Sequence, residues 1–223
     1  WSQGIVPHFI TCNAFIGRSY AKTLVGFLQD SMRGGPTKVD PEEPLYVIEL
    51  GTGAGKFGFF MLNALKHFEA TCPYPLKKIV YVMTDFTEEN FKFWLTHPAL
   101  KDYVAEGRLD FAIFDAVKDT EIKLNQSGVV LSPGSVKNPI CIVANYLFDT
   151  LYHDVFQVDK ELKEGLISVG SKRKEEADPL DPEIIKRLDC KYQYNPIGDD
   201  YYKDEDDDGV HFERILAWYR DQF

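Results

Sequence analysis

Residues 46–60, YVIELGTGAGKFGFF, constrain the fold more than any other stretch of this chain. Leu45–Leu50 is a short run, apolar but for Glu49 near its end, too brief for a helix and suited to a central strand buried on both faces. Glycines 51, 53 and 55 then interrupt it, and residues 55–68 resume with a helical period, placing Phe59, Leu62, Leu65 and Phe68 on one side. A strand that feeds a helix through a glycine turn has to rejoin its sheet by a crossover, which implies parallel pairing.

The remainder of the chain supports that reading. KKIVYVMTD reads as a second strand, TEENFKFWL as a second helix with Thr87 as its cap, RLDFAIFDA as a third strand and PICIVANYLFD as a fourth. An amphipathic helix over Ala14–Met32, with Phe15, Tyr20, Leu24, Phe27 and Leu28 at helical intervals, precedes them and stops at RGGP. The expected fold is α/β and Rossmann-like, with a parallel sheet of order 3-2-1-4 and helices on both faces. After the fourth strand, DVFQVDKELKEGLISVG alternates around DKELK as a β-hairpin, residues 171–209 read as a long charged surface excursion, and FERILAWYRDQF as a closing helix. The organisation expected is therefore an N-terminal helical segment (1–44), a core (45–158) and a hairpin, acidic excursion and terminal helix (159–223). Four strands are few for a doubly wound sheet, and the chain opens on Trp1 without a charged-then-apolar leader. Both features lead us to expect a piece of a longer protein, with further strands beyond Phe223.

Composition excludes several partners. With 223 residues and 44% apolar content the chain can bury one substantial core. No run approaches ~18 apolar residues, so no membrane span is expected. The net charge of −10 arises largely from DDYYKDEDDD at 199–208, and without a basic stripe nucleic acid is not expected as a partner. Cys12, Cys72, Cys141 and Cys190 lie far apart without zinc-ligand spacing, which points to free thiols in a reducing intracellular compartment, cytoplasmic or mitochondrial, and to no metal. Asp204, Asp206, Asp208 and Gly209 imitate the start of a calcium loop, but Ile215 occupies the position that needs a glutamate and His211 the usual aliphatic slot, so an acidic solvated loop is the better reading.

The glycine turn can be tested against three ligand chemistries. A phosphate-cradling Walker loop anchored on Gly55-Lys56 would require glycine at Leu50 and a hydroxyl at Phe57. A dinucleotide fingerprint from Gly51 and Gly53 would require glycine at Lys56. Both fail, leaving Glu49-x-Gly51-x-Gly53-x-Gly55. An acid at the strand end suits a cationic, phosphate-free cofactor such as S-adenosyl-L-methionine and would repel a pyrophosphate. A glycine turn serving only strand-to-helix packing is the alternative. Asp85 and Asp115 end the next two strands, where they are placed to accept ribose hydroxyls and an adenine amino group.

Through ELGTGAGKFG, YVMTDFTEEN and LDFAIFDA, residues 45–158 resemble the class I S-adenosylmethionine-dependent methyltransferases. ICIVANYLFDTLYHDVFQV further resembles the MidA-like group, the complex I assembly-factor type, in which an Asn-Glu pair precedes Leu-Asp and Leu-Pro. Here Asn145, Asp149 and Leu151 match, while Tyr146 and Tyr152 stand where the group has glutamate and proline. The resemblance implies cofactor contacts at Glu49, Gly51, Thr52, Gly53, Gly55, Asp85, Phe86, Asp115, Ala116 and Asn145. It implies catalytic roles for Asn145, whose carbonyl would orient an N–H acceptor, and Asp149; the first helix, read as a cover for the cofactor, offers Arg18 and Tyr20 as further contacts, with ordinary surface and core positions as the alternative. A turn-capping role for Asn145 is the alternative. The methyl acceptor implied is a protein side chain, arginine first, or a small molecule; a non-catalytic binding or assembly module of the same fold is the reading from another class.

Overall fold

The structure, a computed structural model, describes residues 10–178, 180–203 and 209–222. The acidic run 204–208, with the calcium-like pattern, lies outside the described residues. The chain forms two compact units, Trp1–Leu151 and Tyr152–Phe223.

In the first unit, helix α1 (Ala14–Met32) begins where Asn13 caps it by accepting the Ile16 N–H at 3.0 Å. Its buried stripe is Gly17, Ala21, Leu24, Val25 and Leu28. That stripe is rotated from the one its aromatics suggest, since Phe15 is 77% exposed and Tyr20 38%. Strand β1 (Leu45–Leu50) leads through the glycine turn into α2 (Lys56–Lys66). Phe57, Met61, Leu62 and Leu65 are the large residues α2 buries, with Phe59 and Phe68 only partly covered. Strand β2 (Ile79–Asp85), α3 (Glu88–Thr96), the short α4 (Lys101–Ala105) and β3 (Leu109–Ile113) follow. The two-residue strands β4 (Ile122–Lys123) and β5 (Val130–Leu131) pair with each other, and β6 (Cys141–Ala144) completes the main sheet.

That sheet is Rossmann-like, parallel throughout and ordered β3-β2-β1-β6, so the fourth long strand lies beside the first as the sequence implies. Ile48 of β1 sits opposite Val82 of β2 on one side and Ile142 of β6 on the other. Alternation along the strands divides the core in two. Leu45, Val47, Tyr81, Met83, Phe111 and Val143 pack with α1, α2, Trp94 of α3 and Tyr103 of α4. Tyr46, Ile48, Val82 and Ala112 point the other way, against Ile122, Leu124 and Leu131.

The expectation of helices on both faces is thereby corrected. The helices of this unit pack on one face, and the β4–β5 excursion covers the other. Buried Asp110 is the reason that excursion stays in place, because its carboxylate accepts the Gln126 N–H (2.8 Å), the Ser127 N–H (2.9 Å) and the Ser127 hydroxyl (2.7 Å). A buried carboxylate with three outside donors fixes the loop that supplies them.

The second unit is a three-stranded antiparallel sheet, β7 (Phe156–Val158), β8 (Leu162–Ser171) and β9 (Leu188–Pro196), followed by α5 (Gly209–Gln222). The β7–β8 hairpin matches the sequence reading. Strand β9 does not, since it lies inside the stretch read as a surface excursion; its signal is the alternation Leu188, Cys190, Tyr192, Tyr194, diluted by the charged residues between. Among the described residues no helix is long and apolar enough to cross a membrane.

Helix α1 packs on α2 without room for a side chain at Gly17, where a Cβ would meet Phe60 Cβ at 2.8 Å and Met61 N at 3.0 Å. Gly17→Ala should therefore cost ~1–3 kcal/mol by overpacking, read as a lower urea midpoint with an unchanged slope. An unaltered midpoint would contradict this contact.

Candidate functional site

The carboxyl ends of β1, β2 and β6 meet at the glycine turn, the position at which open parallel sheets place their ligands. The turn is built by main-chain conformations that favour glycine, with φ of 66° at Gly51 and 59° at Gly53. A Cβ at Gly51 would also come within 3.2 Å of Leu147 Cδ1, so glycine keeps the two walls apart.

Three sets of hydrogen bonds hold the turn. Thr52 N–H donates to the Thr84 carbonyl (2.9 Å), and Thr84 N–H donates to the Thr52 hydroxyl oxygen (3.2 Å), stitching the turn to β2. Gly53 N–H donates to Asp85 Oδ2 at 3.0 Å. Trp94 Nε1–H, from α3, donates to the Gly53 carbonyl at 2.8 Å. Both main-chain groups of Gly53 are thus committed to the scaffold.

Asp85 is the centre of this arrangement. Beyond Gly53 it accepts Asn90 Nδ2 (3.0 Å) on Oδ2, and the Thr87 N–H (3.0 Å) and hydroxyl (2.8 Å) on Oδ1. Four donors thus converge on the two oxygens of one carboxyl group. The sequence assigns Thr87 to capping α3 and Asp85 to a ribose. The structure turns the Thr87 side chain to Asp85 instead, with no side-chain capping bond, and uses the carboxylate to fix the glycine turn. The D-x-T spacing, an Asx-type turn, is the signal that anticipates this.

Between the turn and residues 145–150 lies a cavity of about 550 Å3, within the ~300–1,000 Å3 range of small-molecule sites. Glu49, Gly51, Thr52, Gly53 and Asp85 line one side, and Asn145 and Asp149 the other. Phe86, 72% exposed, lines it as well. Gly55 caps α2 behind the turn, where a Cβ would meet the Trp94 indole at 3.2 Å, and does not line the cavity. Asp115 and Ala116 are not brought to it either. The Asp115 carboxylate holds its own turn through the Val117 N–H (3.0 Å) and pairs with Lys118 at 3.2 Å, which keeps it below the usual carboxylate range. Residues the sequence reading misses include Cys12 and Lys56, both lining the cavity. No pattern flags Cys12, and Lys56 figures there only as a misfit to other motifs.

Glu49 departs from its expected role. It is 4% exposed, and its Oε2 accepts the Tyr81 hydroxyl at 2.9 Å. Burial pushes its carboxyl up to about 8, against a weaker opposing effect of the Tyr81 bond, so at neutral pH the group is protonated. Tyr81 is raised in turn by its own burial and by Glu49. The cavity is accordingly less negative than three strand-end acids would make it.

Asn145 leaves the end of β6 just before Tyr146, whose φ of 54° is the left-handed conformation in a residue with a side chain. Its Oδ1 accepts the Tyr20 hydroxyl of α1 at 2.9 Å. The carbonyl expected to orient a substrate N–H is thus engaged by Tyr20, and the buried Nδ2 has no hydrogen-bond partner. Arg18 instead lies over the Phe68 ring, 5.4 Å from its centroid, away from the cavity lining.

No family model matches the chain, and no curated protein matches it. Among solved structures it is similar to an uncharacterized ACR protein of the COG1565 superfamily from Burkholderia thailandensis, at 16% identity and a TM-score of 0.37. The match covers 83% of this chain and 37% of that one, so the chain spans little more than a third of that protein's length. A likeness at this level carries no functional argument, which rests on the site itself.

The Glu49 carboxyl sets a pH dependence. Its folded value of about 8 lies above the ordinary 4.5, so between these limits the native state holds a proton that the unfolded state has lost. Stability should fall as pH rises from 4.5 towards 8 and level off above it. Glu49→Gln should flatten that slope in urea titrations across this range; an identical slope in both proteins would show that Glu49 is ionised in the native state.

Proposed function

We propose that the chain is the cofactor-binding part of an S-adenosylmethionine-dependent methyltransferase. The observation that carries this reading is the cavity at the strand ends, with a fixed glycine turn on one wall and an exposed aromatic ring, Phe86, at its edge. A polyphosphate there would face Asp85 and Asp149 with Lys56 as the sole lining cation among the described residues. A nucleoside carrying a sulfonium, an ammonium and one carboxylate suits that set better. The bare glycine backbone admits its methionine portion, Lys56 pairs with its carboxylate, and Phe86 offers a stacking face for adenine. Ribose recognition through Asp85 would require one of the four present donors, Asn90 being the most readily moved, to yield its place.

When bound, this cofactor supplies a methyl group on a positively charged sulfur, with a neutral thioether as leaving group. The protein's share is to bind, orient and shield. Tyr20 and Asn145 tie α1 to the end of β6 beside the cavity, and Asp149 presents a carboxylate able to pair with a cationic acceptor or take up its proton. Tyr146, 56% exposed, offers a ring on which a guanidinium can lie. A protein side chain, arginine first, is the acceptor class we favour, ahead of a small molecule.

A second reading, a binding or assembly module that keeps the fold and transfers nothing, is favoured by one observation. The polar atoms expected to act on ligands, the Asn145 carbonyl and the Asp85 carboxylate, are satisfied within the protein. Methylated product would reject it; binding without turnover would favour it.

Isothermal titration with S-adenosylmethionine and its demethylated product tests the main reading, which expects binding of both by the wild-type chain and none by Gly53→Arg. No heat with the wild type, or unchanged affinity in the variant, would overturn the assignment. Asp85→Ala should weaken binding at least tenfold by releasing the Gly53 N–H and the turn it holds, with equal affinity counting against Asp85 as the organiser.

A further inference from the structure

Glu49 stands at the cavity wall in surroundings built for an uncharged group. Its Oε2 accepts the Tyr81 hydroxyl of β2 at 2.9 Å and lies against Gly58 of α2, where a Cβ would come within 3.0 Å of it. The Met83 methyl and the Tyr81 ring crowd the same spot. The Thr52 hydroxyl of the turn is a second neighbouring donor. From the segment before α1 the Cys12 thiol faces this carboxyl, raised by its own burial first and by Glu49 next. Lys56, Asp85 and Asp149 line the cavity as well, and no cation neutralises Glu49 among the described residues.

A buried carboxyl is tolerated either as the neutral acid or as an anion beside a cation. The protein supplies no such cation, so burial keeps the proton in place. A positively charged ligand reverses that balance, because an opposite charge within ~4–6 Å favours the ionised form. A polyphosphate would strengthen the hold on the proton instead. We propose that Glu49 is the residue by which this cavity selects charge: a ligand that brings a sulfonium or an ammonium to its wall binds in exchange for the Glu49 proton. The O–H bond breaks, its electron pair stays on the carboxylate oxygen and the proton leaves to solvent, so one positive charge enters as another departs. The Tyr81 hydroxyl keeps its place on Oε2 and supports the anion that forms. Resting on the cofactor reading above, this assignment adds to it the group that meets the ligand's charge and a pH dependence. With the carboxyl held up to about 8 in the protein itself, affinity for the cation should rise with pH and level off above that value.

Calorimetry of S-adenosylmethionine binding in buffers of different ionisation enthalpy reads the exchange, with Glu49→Gln as a variant that keeps an acceptor for Tyr81. Relative to that variant, the wild type should release more than about half a proton per ligand near pH 7, and its affinity should gain at least about threefold per pH unit below the plateau. Infrared difference spectra of the wild type should show a neutral carboxyl band vanish as the ligand is added. That band is read in the native protein, so the test holds even where Glu49→Gln binds poorly. Tyr81→Phe, which removes a bond that favours the carboxylate, should move the pH midpoint upward. Equal proton exchange and equal pH slopes in the wild type and Glu49→Gln, or a carboxyl band that survives binding, would overturn the inference and leave the cofactor reading intact. No binding of S-adenosylmethionine by the wild type at any pH would overturn both.

Discussion

The main chain of Gly53 is held at both ends, its N–H by the Asp85 carboxylate and its carbonyl by the Trp94 indole. Everything proposed for the site depends on that double attachment. A glycine turn has the largest conformational freedom of any short segment, and an unrestrained one would pay an ordering cost each time a ligand arrived. Here the cost is met by folding. Parallel pairing of β1 and β2 brings Asp85 beside the turn, α3 carries Trp94 back over it, and Thr52 and Thr84 lock the turn to the neighbouring strand. The four hydrogen bonds on Asp85 gather the turn, the segment after β2 and the first turn of α3 onto one carboxylate.

The same arrangement changes the electrostatic argument. Three acids at three strand ends suggest a pocket whose negative charge selects a cation. In the structure, one of the three is protonated at neutral pH, one has its lone pairs engaged, and the third lies at another turn. On the proposed reading, shape therefore carries more of the selectivity than charge. On the same reading, the bare backbone at Gly51 and Gly53, the Phe86 ring and Lys56 suit a nucleoside with one carboxylate, beside a Glu49 whose carboxyl burial keeps protonated.

Much of the fold is legible in the sequence because its determinants are local. Apolar runs at 45–50 and 79–85, broken only by Glu49 and the closing Thr84-Asp85, mark buried parallel strands, RGGP after Met32 ends α1, and the glycine turn announces the strand-to-helix passage. What escapes is decided by contacts far apart in the chain. Asp110 reaches Gln126 and Ser127 to clip a non-helical cover onto the second face, where the alternating order of strands and helices suggests helices. Asp85 and Thr87 spend their side chains on each other, so Thr87 does not cap α3 and the Asp85 carboxylate is engaged within the protein. Asp115 and Ala116 fall beyond the end of β3 in a turn that closes on itself. Strand β9 is hidden because both its faces are exposed at the ribbon, and charged residues on one of them mask the apolar alternation of the other.

The most direct test is a crystal structure grown with S-adenosylhomocysteine in the presence of competing ATP and NAD. The thioether nucleoside should lie between the Gly51–Gly53 turn and the 145–150 segment with its adenine against Phe86, while the Gly53 to Asp85 hydrogen bond stays in place. A polyphosphate nucleotide lodged against these glycines, with the thioether left in solution, would contradict it.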